Sequence, residues 1–246
     1  PGWIANALNW LLLTAAGAIS TFLAARHLLG LAPYAAAFAG GLSAIAITNG
    51  NHGYSVIALM PLVLVAIDKF SRSPGIRPAV ILICATILFA GWVPARYIAL
   101  FPAVIFLIFS LAFAEGAWRH RISGALIAIT ALYLLRYPDL AEFFSAAANS
   151  DRDTTVMRRD FGTLLLNGVT FVFEYLDPRL LLEFRPLPQT NPITVSFMFA
   201  FAGLFLIRGN PAFRRLVITL TLLVLLQFIL PVIMQITLFD ILEKPG

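Results

Sequence analysis

Long uninterrupted apolar runs fill most of this chain, and they constrain its fold more than any other feature. Residues 7–25, 101–113 and 216–234 are the clearest of them. A hydrocarbon core of roughly 30 Å takes about 20 helical residues at about 1.5 Å rise each, and several runs approach that length. The runs are continuous, without the polar–apolar alternation over about 10 positions that marks a transmembrane barrel strand. With no water to satisfy the backbone inside lipid, such segments are predicted to be α-helices. The composition agrees. Of 246 residues, 60% are hydrophobic and 12% charged, leaving too little polar side chain to cover a soluble domain of this size. The fold class is therefore all-α, a polytopic transmembrane helix bundle.

About eight spans are read, near 5–27, 33–48, 53–69, 78–91, 95–113, 120–136, 192–207 and 213–239. Pro33, Pro78, Pro94, Pro192 and Pro211 stand where helix starts are expected, because proline fits a first turn. Pro231 predicts a kink or an early exit in the last run. Gly40 and Gly41 lie among small residues that allow close helix contact or plain packing. Residues 137–191 interrupt the pattern with the polar stretch 149–160, the short apolar piece Phe161–Tyr175 and a proline-rich tail. They read as an external loop with short interfacial helices. The organisation is thus a six-span bundle over 1–136, the loop over 137–191 and two final spans over 192–246.

Charge orients the bundle. Alternate connections carry Arg26; Lys69, Arg72 and Arg77; Arg119 and Arg121; and Arg208, Arg214 and Arg215, against the acids Asp68 and Glu115. The remaining connections carry eight basic residues and ten acids. The positive-inside rule places the first set in the cytoplasm. Both ends of the sequence then fall outside, in a multi-pass membrane protein. The net charge of +5 is spread over connections and forms no patch, so no nucleic-acid partner is implied. Membrane lipid is the implied partner. Cys84, the single cysteine, lies in an apolar run and is expected to be a small buried core residue, with no intrachain disulfide possible. The chain opens on Pro1 with no visible signal peptide and is expected to be processed, or an internal piece of a longer protein.

No phosphate loop, dinucleotide fingerprint, zinc-protease helix or nucleophile elbow is present. Three histidines without a cysteine partner give no metal site. His27 and His120 stand beside cytoplasmic arginines and are expected to be solvated at the interface. The outer ends of the spans offer more. Asn49, Asn51 and His52 suit a glycine turn, and equally the wall of a polar pocket for a hydroxyl-rich ligand, with His52 able to move a proton near neutral pH. Trp92 and Tyr97 suit an aromatic belt. Arg96 beside them either reaches headgroups or holds a phosphate. Asp139 and Glu142 share a face if a helix resumes after Pro138, either as solvated charges or as bases. Arg158 and Arg159 belong to a mixed-charge loop and could clamp a diphosphate.

The stretch Tyr54–Phe70, followed by the run closed at 89–109, resembles the YfhO-like bacterial membrane proteins and, more broadly, the GT-C class of polytopic glycosyltransferases. Leu59–Asp68 matches one family stretch, and Gly91, Pro94 and Tyr97 loosely match a family turn, over about residues 10–115. Trp92-Val93 stands in place of that turn's histidine, and Ala95 or Arg96 in place of its glutamine. The resemblance implies transfer from a polyprenyl-phosphate sugar at the periplasmic face, and a divalent metal if the enzyme is of that class. The resemblance also places the protein in a bacterial inner membrane; in such an enzyme the outer-end residues Asn49, Asn51, His52, Trp92, Arg96, Tyr97, Arg158 and Arg159 are the candidate substrate contacts, and Asp139, Glu142 and His52 the candidate bases, none selected over the others. The class carries its acidic motif in the first external loop, whereas no acid precedes Asp68 here. The alternative is a non-catalytic integral subunit packed among partner membrane subunits. A transporter finds no acid at mid-membrane depth and no half-to-half symmetry.

Overall fold

The computed structural model describes residues 2–49, 58–92, 101–148, 211, 212, 214–216 and 218. All regular structure among them is helical. In chain order the helices are α1 (Gly2–Leu28), α2 (Pro33–Asn49), α3 (Met60–Arg72), α4 (Ile76–Trp92), α5 (Phe101–Ala112), α6 (Trp118–Leu135) and α7 (Tyr137–Ala148). Proline sets several starts. Pro33 opens α2, Pro61 lies in the first turn of α3 and Pro78 in the first turn of α4. Gly30, at φ +67°, turns the chain after α1, and the Leu31 N–H returns to the Ala25 carbonyl at 3.1 Å.

α3 is the hub. It packs against α1, α4, α5 and α6, and buries Val63, Val65, Ala66, Ile67, Asp68, Phe70 and Ser71 around its circumference. α2 sits outside, paired with α1. α6 closes the other side against α4 and α5, and Phe89 of α4 meets Phe106 of α5 edge-on at 5.9 Å. Small residues let these helices approach. A Cβ on Gly40 would lie 2.8 Å from the Ala18 carbonyl oxygen of α1, whereas Gly41 faces open space. Gly124 of α6 sits against Phe70 and Ile67 of α3 in the same way.

Several polar side chains inside the bundle are satisfied across helices or by their own turn, whereas the buried hydroxyls of Thr14 and Ser110 meet no hydrogen-bond partner. The Ser20 hydroxyl of α1 accepts the Leu62 N–H at 2.9 Å, one of the donors that the first turn of α3 leaves open. Thr21 donates to Ser43 at 2.9 Å, joining α1 to α2. Ser71 and Thr86 return to the carbonyls of Ile67 and Leu82, each at 2.8 Å.

The outward surface is apolar. On α1, Leu11 and Leu12 are 65% and 62% exposed, and Phe38 of α2, Leu88 of α4 and Leu134 of α6 are open as well. Among the described residues one helix, Ile4–Leu28, is long and apolar enough to cross a membrane. Pro33–Ile45, Ile76–Trp92 and Pro102–Ala112 are shorter apolar helices. The 17 residues of α4 rise about 25 Å, a few ångströms short of a full hydrocarbon core. The expected loop over 137–191 begins differently from a simple exit. Leu140 N–H bonds to the Arg136 carbonyl at 3.0 Å, and α7 resumes at once from the end of α6. Residues 149–191 and most of the last two spans lie outside the described residues.

Candidate functional site: an ionic cluster at the basic end of the bundle

Four separate chain segments converge where α1 and α3 end. His27 comes from the last turn of α1, Asp68 and Arg72 from the last turns of α3, Glu115 from the connection between α5 and α6, and Arg215 from the helical residues near 211–218. Asp68 is the centre. It has no exposed surface. Its Oδ2 faces Arg72 Nε at 2.6 Å and His27 Nε2 at 3.2 Å, while its Oδ1 accepts the Glu115 backbone N–H at 2.9 Å. A buried carboxylate is tolerable only with such partners, and here both oxygens are engaged.

Glu115 extends the network. Oε2 takes Arg72 Nη1 at 2.7 Å, and Oε1 is bonded by Arg215 Nη2. The hydrogen bond from Arg215 holds the Glu115 carboxyl below the ordinary carboxylate range; partial burial opposes this, and the charges of Arg215, Arg72 and His27 reinforce it. Arg215 also reaches the Phe113 carbonyl at 3.4 Å and lies 5.6 Å over the Phe113 ring, which stacks on Phe109 at 5.1 Å. Gly116 allows the approach of the connection to α3. Its φ is +111°, and a Cβ there would run into the Ser71 carbonyl. Arg121 bonds the Leu111 carbonyl at 3.1 Å and the Ala114 carbonyl at 3.3 Å, fixing the same connection from α6.

The four connections assigned by charge to one side thus meet at one end of the bundle. From sequence alone, Asp68 and Glu115 read only as counter-charges. His27 is half-buried on Asp68 instead of solvated. A signal was available: no acid other than Asp68 and Glu115 precedes Asp139, and Arg72 follows Asp68 by one helical turn.

The residues singled out at the outer ends fare unevenly. Asn49 is the last residue of α2 and Trp92 the last of α4. Trp92 packs on the small cluster of Leu13, Ile47 and Ala58. Asp139 lies in the first turn of α7 and pairs with Arg136 at 2.8 Å. Glu142, one turn on, is exposed. Asn51, His52, Arg96, Tyr97, Arg158 and Arg159 lie outside the described residues. No three His, Cys, Asp or Glu side chains among the described residues come together to hold a metal ion. The carboxylates of Asp68 and Glu115 face guanidinium groups, so the divalent ion implied by the resemblance finds no ligand set there. Compared with known proteins, the chain matches no family model, no curated protein and no solved structure.

Proposed function

We propose that the chain is an integral protein of a bacterial inner membrane, a polytopic bundle of about eight crossings with the ionic cluster at its cytoplasmic end. The apolar outward face of the helices carries this reading. Leu8, Leu11, Leu12 and Ile19 of α1 and Ile81, Ile87 and Leu88 of α4 point away from the core. Leaving one such side chain in water forgoes about 2 kcal/mol, and lipid removes that cost. Cys84 tests it directly, because it is exposed in the middle of α4 and not buried in the core as its apolar run suggested. In intact membranes Cys84 is expected to resist a water-soluble maleimide and to react after the protein is unfolded in detergent. Rapid labelling in intact membranes would refute the reading.

At the level of activity, the geometry favours a non-catalytic integral subunit of a larger membrane complex. Asp68, Glu115 and Asp139 are each held in ion pairs, and Asp68 offers no surface to a substrate. A second reading is a GT-C-like glycosyltransferase using a polyprenyl-phosphate sugar at the periplasmic face. Asn49 and Trp92 at helix ends opposite the ionic cluster favour it. In that reading Asn49, Asn51, His52, Trp92 and Tyr97 hold the sugar, and Arg96, Arg158 and Arg159 stabilise the leaving phosphate. Asp139, Glu142 or His52 would take the acceptor proton. Reconstituted protein supplied with labelled polyprenyl-phosphate sugars separates the two. Transfer that falls about a hundredfold in Arg96→Gln supports the enzyme. Stoichiometric recovery with other membrane polypeptides and no transfer supports the subunit.

A further inference from the structure

Beside the ionic cluster lies a cleft of about 290 Å³ between α1, α2, α3 and α5. Ala25, Leu28, Ala39, Leu64, Phe109 and Leu216 contribute to its walls, and Thr21 is the one polar side chain among its lining residues. The Thr21 hydroxyl is turned to Ser43. A space this size would take roughly ten waters by volume, yet its walls offer them almost no hydrogen bonds, so an apolar occupant is favoured. The cleft also reaches the basic end of the bundle. Arg26, exposed, donates from Nη1 at 2.6 Å to the carbonyl of Leu31, another lining residue. That is one of the five N–H donors of a guanidinium. Arg72 and Arg215 are committed to Asp68 and Glu115.

An apolar slot with a cation at one end matches an anionic amphiphile. We propose that the cleft holds one acyl chain of an anionic membrane phospholipid, with its phosphate at Arg26. This rests on the membrane reading above and goes beyond it by assigning a lipid site at the end remote from the outer residues. The phosphate gains charge-assisted hydrogen bonds that a zwitterionic headgroup, with its own cation, shares less fully. The chain gains the contacts that a dry apolar slot otherwise lacks.

Native mass spectrometry of the full chain, extracted in mild detergent and exchanged against phosphatidylglycerol or phosphatidylcholine, tests the site. One phosphatidylglycerol is expected to be retained in preference to phosphatidylcholine. Arg26→Gln is expected to lower phosphatidylglycerol retention about tenfold while leaving phosphatidylcholine unchanged, as loss of one charge-assisted contact predicts. Ala39→Leu, which fills the cleft, is expected to lower both. Equal retention of the two lipids, retention unchanged in both variants, or an isoprenoid phosphate as the retained mass would overturn the proposal. A chain that stays membrane-integrated yet retains no lipid sinks the cleft alone. Recovery in the soluble fraction without detergent sinks the membrane reading itself.

Discussion

The backbone N–H of Glu115 points at Asp68 Oδ1 from 2.9 Å, while the side chain of Glu115 shares Arg72 with the other oxygen of Asp68. Two acids 47 positions apart are thereby held in one array, with a peptide dipole and a guanidinium between them. The arrangement makes Asp68 a stabilising centre of the fold. Asp68→Ala removes the acceptor for the Glu115 N–H and leaves Arg72 and His27 without their buried anion. Breaking a buried ion pair from one side costs about 3 kcal/mol or more, discounted here because Arg72 is itself 40% exposed. The midpoint of thermal unfolding in detergent is expected to fall by several degrees, and an unchanged midpoint would show that the cluster contributes nothing.

Glu115 gives the bundle a pH dependence of known sign. Its folded pKa is lowered from the ordinary 4.5, so the folded state binds its proton less readily than the unfolded chain does. The contribution is full above pH 4.5 and is lost as pH falls through the lower folded value. Wild type is therefore expected to exceed Glu115→Gln in stability at neutral pH, with the gap closing on acidification below that point. A gap that widens toward low pH would contradict the assignment. The carboxylate is 38% exposed, so added salt should also narrow the gap.

Neighbouring glycines in α2 should behave in opposite ways. Gly40→Ala places a methyl 2.8 Å from the Ala18 carbonyl oxygen and forces α1 and α2 apart, at a cost of about 1–3 kcal/mol. Gly41→Ala meets nothing and improves helix propensity by up to about 1 kcal/mol. Proteolysis of the two variants in detergent, compared with wild type, reads the difference. Equal susceptibility would mean that the close crossing is not a constraint.

Gly116→Ala combines two penalties. The backbone at φ +111° disfavours any L side chain, and the added methyl collides with the Ser71 carbonyl. The connection would have to move, taking the Glu115 N–H away from Asp68. A loss of about 2 kcal/mol or more is expected, together with most of the Glu115 pH dependence. A stable Gly116→Ala that keeps that pH dependence would disprove the coupling.

Much of the bundle is legible in the sequence. Pro33 and Pro78 mark where α2 and α4 begin, and residues of the alternate basic connections meet in one ionic cluster. Gly40 earns its small size, whereas Gly41 beside it does not, and nothing in the residue types distinguishes them. The ionic cluster is harder to foresee. Local spacing relates Asp68 to Arg72, but His27, Glu115 and Arg215 join through the packing of whole helices, which periodicity does not encode. The restart of α7 at Tyr137 shows the same limit, because Pro138 can open a helix as readily as end one.

One consequence concerns the order of synthesis. Arg215 bonds a glutamate made 100 positions earlier. While a nascent chain is growing, His27, Asp68, Arg72 and Glu115 are complete long before that arginine emerges. The early helices can therefore gather around Asp68, with the Glu115 oxygen that later takes Arg215 turned to water. The late segment then fastens onto a socket already formed, like a clasp closing on a finished chain.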